Sequence, residues 1–185
     1  AELLKKGGLI IYPTDTVYAL GCLINQQKTL KRLADLKGLN LEKAQFAFFV
    51  KNFDLLSNYV RPIDNPTFKL LKRGLPGPYT FILPTIKLPK PFQKRKSIGI
   101  RISDHAILNE LLGLLTVPLI TTSLHDTDKI VDYTTDPAVI FERWGKNIDL
   151  MMDDGFGGNI PSTVIDLCKK EPVVIRKGKG PLNIL

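Results

Sequence analysis

Leu9-Ile10-Ile11-Tyr12-Pro13-Thr14-Asp15-Thr16 is a short apolar run that ends on a proline and opens directly onto polar side chains. An unbroken run of this kind reads as a buried strand, and Pro13 ends it because proline cannot donate to a ladder. Upstream, Ala1 to Lys6 has the pattern of the last turns of an amphipathic helix, stopped by Gly7-Gly8. A chain that opens inside a helix fits an N-terminal extension lying outside this sequence. Downstream the pattern predicts helices over 25–36, 64–71, 104–115 and 136–144. It predicts strands over 46–50, 79–83, 97–102, 119–122, 148–152, 163–167 and 173–176. Asp64 and Asp136 are the expected N-caps, with Pro66 and Pro137 in the first turns. Alternation of strands and helices argues for an α/β fold, and the strand-to-strand steps demand antiparallel pairs. A twisted, mixed parallel and antiparallel open sheet with helices on its faces follows, as a single domain over 1–185.

The composition narrows the function classes. The chain has 185 residues, 44% of them hydrophobic and 24% charged, which excludes disorder as its main state. Its longest apolar run, Leu111 to Ile120, is interrupted by Gly113, Thr116 and Pro118 and is far short of a membrane span. No charged segment followed by an apolar one opens the chain, so a soluble cytoplasmic protein with no membrane partner is expected. Cys22 and Cys168 form no metal-binding spacing and read as small buried hydrophobes. The formal charge is +8, and from Asn65 to Ser103 there are nine Lys and Arg residues and no acid. Five of those cations, Lys87, Lys90, Lys94, Arg95 and Lys96, fall in one proline-containing loop with no carboxylate to pair with. Such a block suits an anionic polymer such as duplex RNA, or it is a solvated basic face.

Several polar segments follow predicted strands, where open α/β sheets form ligand crevices. Thr14-Asp15-Thr16 reads as a ligand loop or as a self-capping turn. Thr121-Thr122-Ser123-Leu124-His125-Asp126 offers a hydroxyl shelf; a hydrolytic triad is rejected, because triads assemble from distant segments and no nucleophile elbow is present. Gly155-Phe156-Gly157-Gly158-Asn159 lacks the Gly-Lys-Ser/Thr of a P-loop. It reads as a connection, or as backbone amides that meet a phosphate together with Ser162. Arg101, beyond Ile98 and Ile100, is expected to project from the opposite face of its strand, beside Thr16 and Thr122.

Taken in order, these segments resemble the YrdC-like threonylcarbamoyl-AMP synthase family. The resemblance rests on Tyr12-Pro13-Thr14-Asp15-Thr16-Val17-Tyr18-Ala19-Leu20-Gly21-Cys22, Pro76-Gly77-Pro78-Tyr79-Thr80-Phe81-Ile82-Leu83, Ile98-Gly99-Ile100-Arg101-Ile102, Thr121-Thr122-Ser123, Pro161-Ser162-Thr163-Val164-Ile165-Asp166 and Val174-Ile175-Arg176-Lys177-Gly178. It implies a basic concave surface and the substrates ATP, threonine and bicarbonate, with magnesium carried by the nucleotide. It further implies Thr16, Arg101 and Thr122 as threonine contacts, and Lys37, Ser123, Ser162 and Arg176 as contacts to ATP phosphates or ribose. Double-stranded RNA or tRNA is the implied macromolecular partner.

Two positions depart from the synthase pattern. The family's Lys-x-Arg stands here as Lys37-Gly38-Leu39, and its Ser-x-Asn as Ser123-Leu124-His125. Both departures make the chain similar to the YciO-like branch. Three readings stay open at this level: a divergent synthase, a non-catalytic double-stranded RNA-binding relative, and an enzyme that makes a different acyl-adenylate.

Overall fold

The structure, a computed structural model, describes residues 1–86, 88–124 and 134–185. Nine strands form one mixed sheet, β1 (Ile10–Tyr12), β2 (Ala19–Leu23), β3 (Ala47–Phe49), β4 (Tyr79–Pro84), β5 (Ser97–Arg101), β6 (Leu119–Ser123), β7 (Leu150–Met151), β8 (Thr163–Asp166) and β9 (Val173–Arg176). Their spatial order is β7-β1-β2-β6-β3-β5-β4-β8-β9. Three neighbouring pairs, β1·β7, β3·β5 and β4·β8, are parallel, and the rest are antiparallel.

Among the described residues six α-helices accompany the sheet: α1 (Glu2–Lys5), α2 (Gln27–Leu36), α3 (Phe53–Leu56), α4 (Asn65–Gly74), α5 (Ala106–Gly113) and α6 (Pro137–Trp144). The predicted caps form: Asp64 accepts from the Thr67 amide at 2.9 Å and Asp136 from the Ala138 amide at 2.8 Å. None of these described helices is long and apolar enough to cross a membrane.

The two faces of the sheet are covered unequally. On one face Ile11, Leu20, Cys22, Phe48, Phe81, Ile100, Ile120 and Ile165 pack under α2, α4 and α6 in the main core. On the other, Ile10, Tyr12, Leu23, Phe49 and Leu119 are covered by Leu4 of α1 and Leu108, Leu111 and Leu112 of α5. That second cover spans β1, β2 and the Leu119 and Phe49 ends of β6 and β3. The rest of the face is left open, and it carries Ala47, Thr80, Gly99, Arg101 and Thr121, the residues that alternate with the main-core set.

Two elements are absent from the sequence reading. β2 lies centrally, between β1 and β6, but its Ala-Leu-Gly-Cys-Leu is poor in the branched and aromatic residues that mark strands. The small residues are there for close approach: a Cβ on Gly21 would lie 2.4 Å from the Ile120 carbonyl oxygen. α3 is a four-residue helix capped by Asn52, too short for a periodic signal. The predicted strand over 148–152 shrinks to two residues. Cys168 is exposed, unlike Cys22, because it follows the end of β8.

Phe81 is fully buried on β4, stacked on Tyr79 at 5.8 Å between centroids. Phe81→Ala is expected to destabilise the protein by about 3–5 kcal/mol, read as a lower urea midpoint at unchanged slope. A loss below ~1 kcal/mol would mean that the main core does not depend on this ring.

Candidate functional site

The open half of the second face is the floor of a cavity of about 820 Å³. Small side chains keep it clear. Ala47 of β3 pairs with Gly99 of β5 and with Thr121 of β6, so three adjacent strands place almost no bulk there. The walls come from Thr16, the 42–47 segment, Arg95 to Ser97, Pro161-Ser162 and Arg176.

Arg101 stands at one end of this floor, on the face opposite Ile98 and Ile100. Its Nη2 donates to Asp15 Oδ1 at 2.7 Å and to Thr16 Oγ1 at 3.1 Å, and its guanidinium lies 4.6 Å from the centre of the Phe49 ring. Asp15 Oδ1 also accepts from Ser103 Oγ at 3.0 Å. Burial pushes the Arg101 pKa down and the Asp15 carboxylate opposes that shift. The pair is almost sealed from water, with side-chain exposures of 8% and 4%. The residues after β1 therefore form more than a self-capping turn: they supply the counter-charge to a buried arginine.

Ser162 and Arg176 meet on the other side. Arg176 donates through Nε and Nη2 to the Ser162 carbonyl, at 3.1 and 2.9 Å, and through Nη2 to Ser162 Oγ at 3.3 Å. Ser162 Oγ shares a 2.8 Å hydrogen bond with Thr80 Oγ1. The glycine-rich loop folds back on Thr16, so closely that a Cβ on Gly158 would lie 2.0 Å from the Thr16 carbonyl oxygen. The amide of Gly157 is used by the Thr135 carbonyl at 2.8 Å, so this loop does not present it as a free phosphate donor.

The remaining sequence-predicted residues are placed as follows. Ser123 lines the cavity. Thr122 reaches its rim, but alternation along β6 sends Thr122 to the Ile120 side and puts Thr121 and Ser123 on the floor. Thr121, part of the hydroxyl shelf read from the sequence but not of the expected threonine contacts, is buried on the floor. Lys37 is not among the cavity-lining residues; its ammonium sits 5.4 Å over the Trp144 ring, and burial lowers its pKa. Of the basic loop, Lys90, Lys94 and Lys96 are exposed, and Lys87, like His125, lies outside the described residues.

Arg95 corrects the picture of a free cationic loop. Its Nη2 donates to the carbonyls of Leu41 (3.4 Å), Glu42 (3.5 Å) and Ala44, and its guanidinium lies 4.7 Å from the centre of the Phe92 ring. Counting carboxylates ignored main-chain carbonyls, which accept a guanidinium's hydrogen bonds without neutralising its charge.

The sequence pattern of the Sua5/YciO/YrdC family, described as "Telomere recombination", matches residues 2–178. The chain belongs to this family. It is 39% identical over 186 residues to YciO of Escherichia coli K12, covering 98% of this chain and 88% of that one. It is 37% identical over 182 residues to an uncharacterised Haemophilus influenzae protein, covering 97% and 87%. A threonylcarbamoyl-AMP synthase of Pyrococcus abyssi is 29% identical over 186 residues, 99% of this chain but 54% of that longer one. In structure it is similar to E. coli YciO, with TM-score 0.89, 38% identity and coverage of 99% and 89%. It is also similar to P. abyssi Sua5 complexed with L-threonine, with TM-score 0.87, 27% identity and coverage of 98% and 54%. The Sua5/YciO/YrdC fold is thus present along nearly the whole chain, as the mixed open sheet expected from the sequence.

Arg95 and Lys94 are neighbours with different work. Arg95→Gln is expected to lower stability by about 1.5–3 kcal/mol, the worth of hydrogen bonds made by a charged group. Lys94→Gln, on an exposed side chain, should stay within ~0.5 kcal/mol of the parent. Equal effects in thermal denaturation would contradict the clamp.

Proposed function

We propose that this protein is a nucleotidyltransferase of the threonylcarbamoyl-AMP synthase type. In the reaction, threonine and bicarbonate combine to N-carboxythreonine with loss of water. A carbamate oxygen then attacks the α-phosphate of ATP, and pyrophosphate leaves. Such a reaction asks for alignment and for positive charge around the phosphates more than for a strong base. The supporting observation is that one cavity floor joins two guanidinium sites, Arg101 with Thr16 at one end and Arg176 with Ser162 at the other.

In this reading Arg101 receives the amino-acid carboxylate, with Thr16, Thr121 and the rim residue Thr122 around it. Ser123, Ser162 and Arg176 hold the nucleotide. Lys37 would have to leave Trp144 to take part. Magnesium would arrive on the phosphates: among the described residues the cavity lining contributes carboxylates only from Glu42 and Asp166, and no group of three or more metal-ligating side chains forms a cage.

Pyrophosphate release that requires both threonine and bicarbonate is the expected outcome with the purified protein. Arg176→Gln should reduce kcat/KM by about 10- to 100-fold, the scale of one charge-assisted contact. Release that ignores threonine while responding to another amino acid would move the assignment to a different acyl-adenylate, and a folded protein with no release would remove the enzymatic reading.

A second reading, binding of double-stranded RNA, is supported by the exposure of Lys90, Lys94 and Lys96 on a loop pinned by Arg95. Changing the three lysines to glutamine should lower the log–log salt slope of duplex RNA binding by up to about 3, on a per-phosphate value taken from B-DNA. An unchanged slope would leave these lysines as a solubility face.

A further inference from the structure

The pairing of Arg101 with Asp15 bears on which ligands this end of the cavity accepts. An unpaired buried guanidinium would attract any small anion, including the phosphates that the proposed reaction also brings into the cavity. Here the cation and the carboxylate are 2.7 Å apart and both are shielded from water, so their charges cancel locally. Arg176 and Lys179, whose ammonium donates to the Asp15 carbonyl at 2.5 Å, are exposed and screened by solvent.

Proton counting gives the same site a direction. Thr14 Oγ1 donates its only hydroxyl proton to the Val17 carbonyl at 2.7 Å. In the 3.0 Å contact between the two hydroxyls, Thr16 must therefore be the donor. Thr16 Oγ1 then has no proton left; it accepts from Arg101 and keeps one lone pair. Arg101 in turn uses Nη2 for both its bonds, which leaves Nη1 with no partner among the described residues. A free donor with positive charge thus stands beside an acceptor and a negative charge.

We infer that Asp15 is a specificity-determining residue, which makes the Arg101 end of the cavity select a zwitterionic α-amino acid over a simple anion. The ligand's carboxylate meets Arg101 Nη1, and its ammonium lies in the negative potential of Asp15 on the Thr16 side. Phosphates are left to the Arg176 end, which carries no such buried counter-charge. This inference rests on the amino-acid site of the proposed function and adds the residue that guards it.

Calorimetry with L-threonine and with 3-hydroxybutyrate, which is threonine without its amine, separates the possibilities. The parent protein should bind threonine at least about ten-fold more tightly than 3-hydroxybutyrate, and in Asp15→Asn that preference should shrink to within about three-fold or reverse. An Asp15→Asn protein that keeps the parental preference would overturn the role of Asp15. A parent that binds neither compound would overturn the amino-acid site itself, and this inference with it. Should Asp15→Asn fail to fold with Arg101 unpaired, the double variant Asp15→Asn with Arg101→Gln restores neutrality. It is expected to lose the preference as well, and a double variant that still favours threonine as the parent does would refute the electrostatic account.

Discussion

A guanidinium is costly to bury, and the architecture of this protein is arranged around one. Arg101 ends β5 on the face that α5 covers only in part. It is held by a carboxylate and a hydroxyl from the loop after β1, and by the ring of Phe49 on the adjacent β3. Removing one member of such a pair typically costs about 3–5 kcal/mol, because the other charge is left uncompensated. The same constraint explains the neighbourhood. Asp15 is itself steadied by Ser103, and Ala47 and Gly99 keep the floor next to Arg101 free of bulk. Stability and a ligand-sized hollow thus share one set of residues.

Much of this could be read from the sequence where a residue type has one structural meaning. Asp64 and Asp136 before proline-containing first turns located two helices, and the alternation of Ile98, Ile100 and Ile102 put Arg101 on the other face. The reading failed where packing, not pattern, chooses the residue. β2 carries Gly21 because the Ile120 carbonyl lies against it, and a lone small residue carries no periodicity. Thr121 and Thr122 differ by one register position, which only the paired strands decide. Arg95 looked free because its partners are main-chain carbonyls, which a sequence does not display. Lys37 follows a helix as the family pattern requires, yet its ammonium rests on Trp144, contributed by a helix more than a hundred residues away.

Leu39 and His125 are the two positions where this chain departs from the pattern expected of a synthase. Leu39, which stands for the arginine of Lys-x-Arg, is 40% exposed. Lys37 is turned away from the cavity, so this stretch contributes no cation to its lining. At the Arg101 end, by contrast, the contacts to Asp15, Thr16 and the Phe49 ring are all formed. One end of the cavity is organised by a buried ion pair, and the other by Ser162 and Arg176. The chain is 39% identical to YciO and 29% identical to the P. abyssi synthase.

The most direct measurement is a crystal structure of the protein with L-threonine and a non-hydrolysable ATP analogue. The account predicts the threonine carboxylate on Arg101 Nη1 with the Arg101–Asp15 pair unbroken, and the phosphates on the Ser162 and Arg176 side. Phosphate density on Arg101, or threonine bound away from it with the pair intact, would contradict it.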